Sequence, residues 1–413
     1  MTTTSHDDRG RVPAGVTPDV VLGGLPDDLT RGVPWESLTR WPLPAEAGRA
    51  AHDAADVLLL DTLAGWLACG HAAGPVVVLE DRHGALTLPL LAAGHDVRLA
   101  QDDASAERSV RANLERWRAE GLLRDSAGSL THAELDDRLV RGARTVLLPL
   151  PRSLDELDRI ARILARGADP SVVVLAGGRD KHMSPRMNAV LAASFQDVVA
   201  NRGRRKARVL TARAPRAGVA PRPHDETTAA LPGIGPVRLV AEAGTFGGAH
   251  ADPGSRLLLE ALAEDPRPPA RAVDLGCGNG LIAVGAARLW PHARITATDQ
   301  SAVAVASTRA TAEANGLAER IEAVRDDTLA SWADASEERI LLNPPFHDGN
   351  AVDPTVAHRL FEAAARVLAP EGELWCVWNS HLHHRGILQS VVGPTRQVAR
   401  NRTFTVTAST RRG

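Results

Sequence analysis

Tyrosine is absent from the 413 residues, and lysine occurs only at Lys181 and Lys206, so 46 of the 48 cationic side chains are arginine. With alanine abundant, codon bias in a GC-rich genome accounts for this, and the arginine excess alone says little about function. A charge of one sign is also missing, because the formal net charge is only −2. That excludes a chain that is basic overall, so any nucleic-acid contact has to come from local patches. The three cysteines, Cys69, Cys277 and Cys376, lie too far apart for a disulfide framework or a CxxC metal pair. No segment reaches the roughly 18 uninterrupted apolar residues of a membrane span. The opening "MTTTSHDDRGRVPAG" lacks the apolar core of a signal peptide. The nearest apolar run, "AADVLLLDTLAGWLACG", carries Asp61 and reads as a packed helix. These absences predict a soluble, cytoplasmic protein.

What is present points to two domains, since 413 residues exceed one ordinary core. Residues 213–236, "RAPRAGVAPRPHDETTAALPGIGP", are rich in Pro, Gly and small residues and show no apolar period, which reads as a linker between domains over 1–212 and 237–413. On each side short β-rich runs alternate with longer amphipathic segments. That is the βαβ pattern of a mostly parallel, doubly wound sheet.

The two sides resemble each other. "VVVLEDRHGALTLPLL" from Val76 lies over "AVDLGCGNGLIAVGAA" from Ala272, with Gly84 on Gly280 and Asp102 on Asp299. "VLLPLP" ending at Pro151 falls near "ILLNPP" ending at Pro345, and the offset stays close to 195 residues. An ancient duplication gives this pattern; convergence of two doubly wound domains is the other explanation. The differences are chemical. Glu80 and Arg82 replace Gly276 and Gly278, and Pro149 stands where Asn343 does, so only the second half keeps a competent site.

In that half, "RAVDLGCGNGLIAVGAARLW" reads as a strand, a turn on Gly276, Gly278 and Gly280, and a helix. Glycines there let backbone N–H groups approach a ligand closely, although such turns also use glycine for packing alone. Asp274 sharpens the reading, because an acid before the glycines repels a pyrophosphate but suits the cationic amino group of an amino acid. The ligand this suggests is S-adenosylmethionine. Asp299, 23 residues beyond Gly276, is placed to accept the ribose hydroxyls or, alternatively, to cap the next helix. Asp326 and Asp327 end a third strand, where a carboxylate can meet the adenine amine or simply form an exposed acidic turn. Asn279 and Gln300 complete the expected cofactor set. "GTFGGAHADPGSRLLLEAL" offers Phe246, Asp252 and Ser255 as a wall at the methionine end, or a helix start capped by Ser255.

The segment "ILLNPPFH", residues 340–347, is a strand that two prolines stop at Asn343. The Asn343 side-chain oxygen and the Pro344 carbonyl can accept the hydrogens of an exocyclic NH2, whose delocalised lone pair makes it a poor nucleophile until held. Phe346 can stack on the planar ring, and Pro344 and Pro345 keep the acceptors rigid. Read in isolation the segment is merely a turn. The glycine loop, Asp299 and the spacing favour the amine clamp.

On these motifs the chain resembles the ribosomal RNA guanine-N2 methyltransferases, over nearly its whole length. "LLNPPFH", the following "LAPEGELWCVWNSHL", and the first-half segments "AGGRDKHMS" and "RGRRKARVL" carry the likeness, the last two favouring the large-subunit type. The resemblance implies two tandem Rossmann-like class I methyltransferase domains, the first degenerate. It also implies S-adenosylmethionine as cofactor and methylation of a guanosine N2 in ribosomal RNA, with Asn343, Pro344 and Phe346 holding the amine. The expected partner is ribosomal RNA or a ribosomal subunit, with no metal and a monomeric chain. The run at His381, His383 and His384 departs from the family pattern and reads as a solvated loop, since no carboxylate or Cys lies nearby. A guanine N2 inside a helix cannot enter such a pocket, so the target base is unpaired or flipped. The basic segments "NRGRRKAR" and "RNRTFTVTASTRRG" are candidate phosphate contacts or solvated strand ends. The first half then either positions RNA or only supports the second.

Overall fold

The computed structural model describes residues 28–40, 50–71, 74–124, 126–265, 267–345 and 354–412. The chain divides into two compact units, Met1–Arg222 and Pro223–Gly413. In the first, apolar runs bounded by polar turns form β1 (Val76–Leu79), β2 (Val97–Ala100), β3 (Leu130–His132), β4 (Thr145–Pro149), β5 (Val173–Arg179), β6 (Phe195–Ala200) and β7 (Ala207–Pro215). They alternate with α1 (Ala54–Ala68), α2 (Thr87–Ala92), α3 (Ala104–Ala119), α4 (Leu154–Gly167) and α5 (Pro185–Ser194). The sheet order is β3-β2-β1-β4-β5-β7-β6, with β7 antiparallel to both neighbours. Every residue of β1 is buried, as expected of a central parallel strand covered on both faces. The apolar run that carries Asp61 is α1, a largely buried helix.

The second unit opens with a hairpin, β8 (Asp225–Leu231) and β9 (Gly235–Ala241). There follow α6 (Pro253–Ala263), β10 (Arg271–Leu275), α7 (Leu281–Leu289), β11 (Arg294–Asp299), α8 (Ala302–Ala314), β12 (Ile321–Arg325), β13 (Glu337–Leu342), α9 (Pro354–Val367), β14 (Leu368–Asn379), α10 (Arg385–Val391), β15 (Thr395–Arg400) and β16 (Phe404–Thr410). The order β12-β11-β10-β13-β14-β16-β15, with β16 antiparallel, repeats that of the first sheet strand for strand. One face of the second sheet packs Leu341, Ala272 and Ala297 with Ile282 and Ala286 of α7; the other packs Val273, Ile340 and Leu342 with Phe361, Ala364 and Val367 of α9. The order turns back between β10 and β13. At such a switch point the carboxyl ends of adjacent strands leave a crevice for a ligand.

Half of the expected linker over 213–236 is strand. Residues 213–215 finish β7, and β8 with its turn takes up 225–235. Pro232, Gly233 and Gly235 shape the turn of the hairpin, with Gly233 and Gly235 in the left-handed region. Leu231, Val237 and Leu239 join the core of the second unit, and Thr311 of α8 bonds both backbone groups of Val240.

Candidate active site

The turn after β10 sits at the switch point. Gly276 (φ 79°) and Gly278 (φ 52°) have left-handed backbones, and a Cβ on either would meet nothing within 4 Å. Open space beside an N–H-bearing turn is what a ligand needs for close approach. Gly280 differs: a Cβ there would lie 3.1 Å from Thr308 Cα, so its missing side chain serves helix packing. Gly278 N–H donates to Asp299 Oδ2 at 3.0 Å, and Ser301 N–H to Asp299 Oδ1 at 3.0 Å. The cap of α8 is Ser301 itself, whose hydroxyl accepts from Ala304 N–H. Asp299 therefore braces the glycine turn instead of capping the helix.

Asp274 is fully buried. Its Oδ2 accepts Ala283 N–H at 2.9 Å, and its Oδ1 has no hydrogen-bond partner. Burial, with the charge of Asp299 adding to it, pushes its pKa up to about 7. An orphaned buried carboxylate oxygen next to an open glycine turn fits the cationic amino group of a bound amino-acid moiety.

Strand register carries Asn343 to the same edge. Leu275 pairs with Leu342 and with Thr298, so one step further Gly276 lies between Asn343 and Asp299. The amide nitrogen of Asn343 donates to Asp252 Oδ2 and to Ser255 Oγ, both at 2.9 Å, and its Oδ1 is buried without a partner. Because a carboxylate only accepts, this contact fixes which end of the amide is nitrogen. The oxygen is thus left to receive a hydrogen. Pro344 is buried and Pro345 exposed, while Phe346 lies outside the described residues.

Other expected site residues are occupied differently. Both oxygens of Asp326 accept backbone N–H groups of its own turn, from Ala330 and Ser331. Asp326 thus closes an acidic turn, the alternative reading of this pair, whereas Asp327 is buried and ion-paired with Arg359 of α9. Asn279 donates to the carbonyls of Gly248 and His250, pinning the loop that precedes α6 beside the glycine turn. In that loop Phe246 is 73% exposed. Gln300 is exposed. The cap of α6 is Asp252, which accepts from Ser255 N–H, so Ser255 is not the cap. His381 and His383 are exposed, but His384 packs edge-on against Phe361 and Trp378 and leaves the expected solvated loop. Among the described residues, no group of His, Cys, Asp and Glu is arranged to hold a metal ion, and no helix is long and apolar enough to cross a membrane. The link from Asn343 to Asp252 spans 91 residues, and no short motif announces it.

At the corresponding edge of the first unit, Val78 pairs with Leu147 as Asp274 pairs with Leu341, which sets Pro149 in the place of Asn343. Leu79 pairs with Ala100 as Leu275 pairs with Thr298, so the counterpart of Asp299 is Gln101, not Asp102. Between these paired positions the first unit advances 21 residues (79 to 100) and the second 23 (275 to 298), two more. Glu80 keeps the left-handed backbone of Gly276 (φ 53°), and its Oε1 accepts Asp102 N–H. A side chain stands where the second unit has open space.

The strand order, the open glycine turn at the switch point and the acid ending β11 define a class I methyltransferase. A family model described as "Methyltransferase small domain" matches residues 236–408, and one described as "RLMG N-terminal domain" matches 32–216. Ribosomal RNA large subunit methyltransferase G of Shewanella amazonensis is 30% identical over 401 residues, 93% of this chain and 97% of its own. The protein of the same name from Streptomyces coelicolor is 33% identical over 392 residues, 90% of this chain and 98% of its own. The chain belongs to the ribosomal RNA large subunit methyltransferase G family. In fold it matches the solved T. thermophilus 16S rRNA N2 G1207 methyltransferase (RsmC) in complex with AdoMet and guanosine. The TM-score is 0.72 at 23% identity, covering 92% of this chain and 99% of that one.

Proposed function

We infer that the protein transfers a methyl group from S-adenosylmethionine to the exocyclic N2 amine of a guanosine in ribosomal RNA, large-subunit RNA being favoured by the names of its relatives. The observation that carries this is Asn343, whose amide nitrogen is tied down and whose oxygen is buried, unpartnered and level with the glycine turn. An acceptor held in this way recognises hydrogens on a nitrogen.

S-adenosylmethionine, when bound, supplies an electrophilic methyl group on a sulfonium. Gly276 and Gly278 leave room for it, Asp299 accepts the ribose hydroxyls, and Asp274 meets the amino group. Asn343 Oδ1 and the Pro344 carbonyl accept the two hydrogens of the guanine amine. That orientation turns its lone pair toward the methyl group and offsets the positive charge growing on nitrogen.

The first unit holds RNA phosphates. β5 and β7 pair Arg179 with Ala207, which brings Lys181 and Arg186 near the loop with Arg202, Arg204, Arg205 and Lys206, all exposed except Arg179. Both lysines of the chain fall in this cationic patch. In the second unit, Arg400 at the end of β15 and Arg402 in the β15–β16 turn offer further contacts. The protein acts as a monomer in the cytoplasm.

The test is to incubate the full-length protein with labelled cofactor and separated ribosomal RNAs from a strain lacking it, then map the product. Label on one guanine N2 of large-subunit RNA is expected. Label on small-subunit RNA would move the substrate; label on adenine, on protein alone, or nowhere would overturn the reading.

A further inference from the structure

Asn343 alone does not determine its own orientation. Its two amide hydrogens go to Asp252 Oδ2 and Ser255 Oγ, both 2.9 Å away and both at the start of α6. Asp252 is itself held, because its Oδ2 also accepts Ser255 N–H at 2.7 Å. Gly254 crowds it: a Cβ there would come within 3.0 Å of Asp252 Oδ2 and 3.2 Å of the Phe404 ring, so the backbone passes where no larger residue fits without displacement. An aspartate cap alone is ordinary, since α1 of the first unit starts on Asp53 with Pro149 and no amide to hold. What capping does not require is that Asp252 Oδ2 and Ser255 Oγ both also accept from Asn343.

We propose that Asp252 and Ser255 are positioning residues for methyl transfer, which fix the Asn343 carboxamide with its oxygen toward the incoming amine. Two satisfied N–H donors set the amide plane, since a planar group held at two points cannot rotate. The negative charge beside the NH2 polarises the amide and makes Oδ1 a stronger acceptor. A flipped amide would present N–H donors to the substrate amine and repel it. The α6 cap thereby makes the site selective for a nitrogen bearing two hydrogens and closes it to a carbonyl oxygen.

The proposal rests on the methyltransferase reading above, and the experiment separates the two. In the full chain, Asp252→Ser keeps a capping oxygen for Ser255 N–H but falls short of Asn343. Ser255→Ala removes the other acceptor, and Asp252→Asn retains an oxygen that reaches Asn343. We expect kcat to fall at least 30-fold in Asp252→Ser and about 5-fold in Ser255→Ala, with the cofactor Kd changed less than twofold and most of the rate restored in Asp252→Asn. An independent readout is the Asn343 side-chain amide resonance, assigned by its loss in Asn343→Asp. Its two protons should be slow to exchange in the wild type and fast in Asp252→Ser. Unchanged kcat, a loss confined to cofactor Kd, or an amide signal indifferent to Asp252→Ser overturns the proposal. A wild-type protein that leaves ribosomal RNA unmethylated overturns the substrate reading instead, while the amide resonance still decides the positioning.

Discussion

Gly278 donates its backbone N–H to the Asp299 carboxylate at 3.0 Å, joining the turn after β10 to the end of β11. One acid thus braces the glycine turn, and on the proposed reading it also meets the ribose hydroxyls. Asp299→Ala should raise the cofactor Kd at least tenfold by titration calorimetry, and Asp299→Asn, which keeps one accepting oxygen, should raise it less.

Asn343→Ala should abolish measurable transfer to RNA, by about 10²- to 10³-fold in kcat, with cofactor affinity nearly unchanged. Single-turnover assays with saturating labelled cofactor measure this. An equal loss of cofactor binding would place Asn343 in the cofactor pocket and remove the clamp.

Asp274 gives a pH signature. Its raised pKa of about 7 means the folded state prefers the neutral acid, so its contribution to stability is full below about 4 and is lost as pH rises through about 7. A bound ammonium reverses the preference and favours the carboxylate. Cofactor affinity should therefore rise, by up to about tenfold per pH unit, between pH 5.5 and 7 and level off above. In Asp274→Asn the profile should be flat and the affinity low.

Glu80 titrates at about 8, raised mainly by burial and next by the charge of Asp102. The same sign applies: its stabilising neutral form is lost as pH climbs through about 8. Glu80→Gln should raise the melting temperature by a few degrees, with an advantage that grows from about pH 5 to pH 8 and then holds. Calorimetry across that range checks it, and a constant difference would exclude the carboxyl as its source.

Replacing Arg204, Arg205 and Lys206 together by alanine should weaken RNA binding at low salt. The log–log salt slope should flatten by roughly 0.7 for each phosphate that the variant no longer neutralises, with cofactor affinity unaffected. An unchanged slope would leave the first unit with a supporting role only.

Much of the site was legible because its signals are local. A glycine turn must follow a strand, Asp299 must end the next one, and two prolines must stop a third at Asn343. Asp252 was legible as a residue but not as the partner of Asn343, since only the packing of α6 against the sheet joins positions 91 apart. Asp326 kept two readings for the opposite reason: a strand-end acid looks the same in sequence whether it meets a ligand or the backbone amides of its own turn, here Ala330 and Ser331. The β8–β9 hairpin hid because its first strand, "DETTAAL", is mostly exposed and its turn carries the Pro and Gly residues that also mark linkers.

That hairpin bears on where the chain can be divided. A cut at residue 236 would strip β8 from β9, expose Val237 and Leu239, and leave a lone strand bonded to Thr311. Its unpaired edge would be open to a second chain, and such a fragment should precipitate or pair with itself. The break that respects both units falls between Arg222 and Pro223, so the stretch that looks most dispensable in the sequence supplies core residues to the second unit.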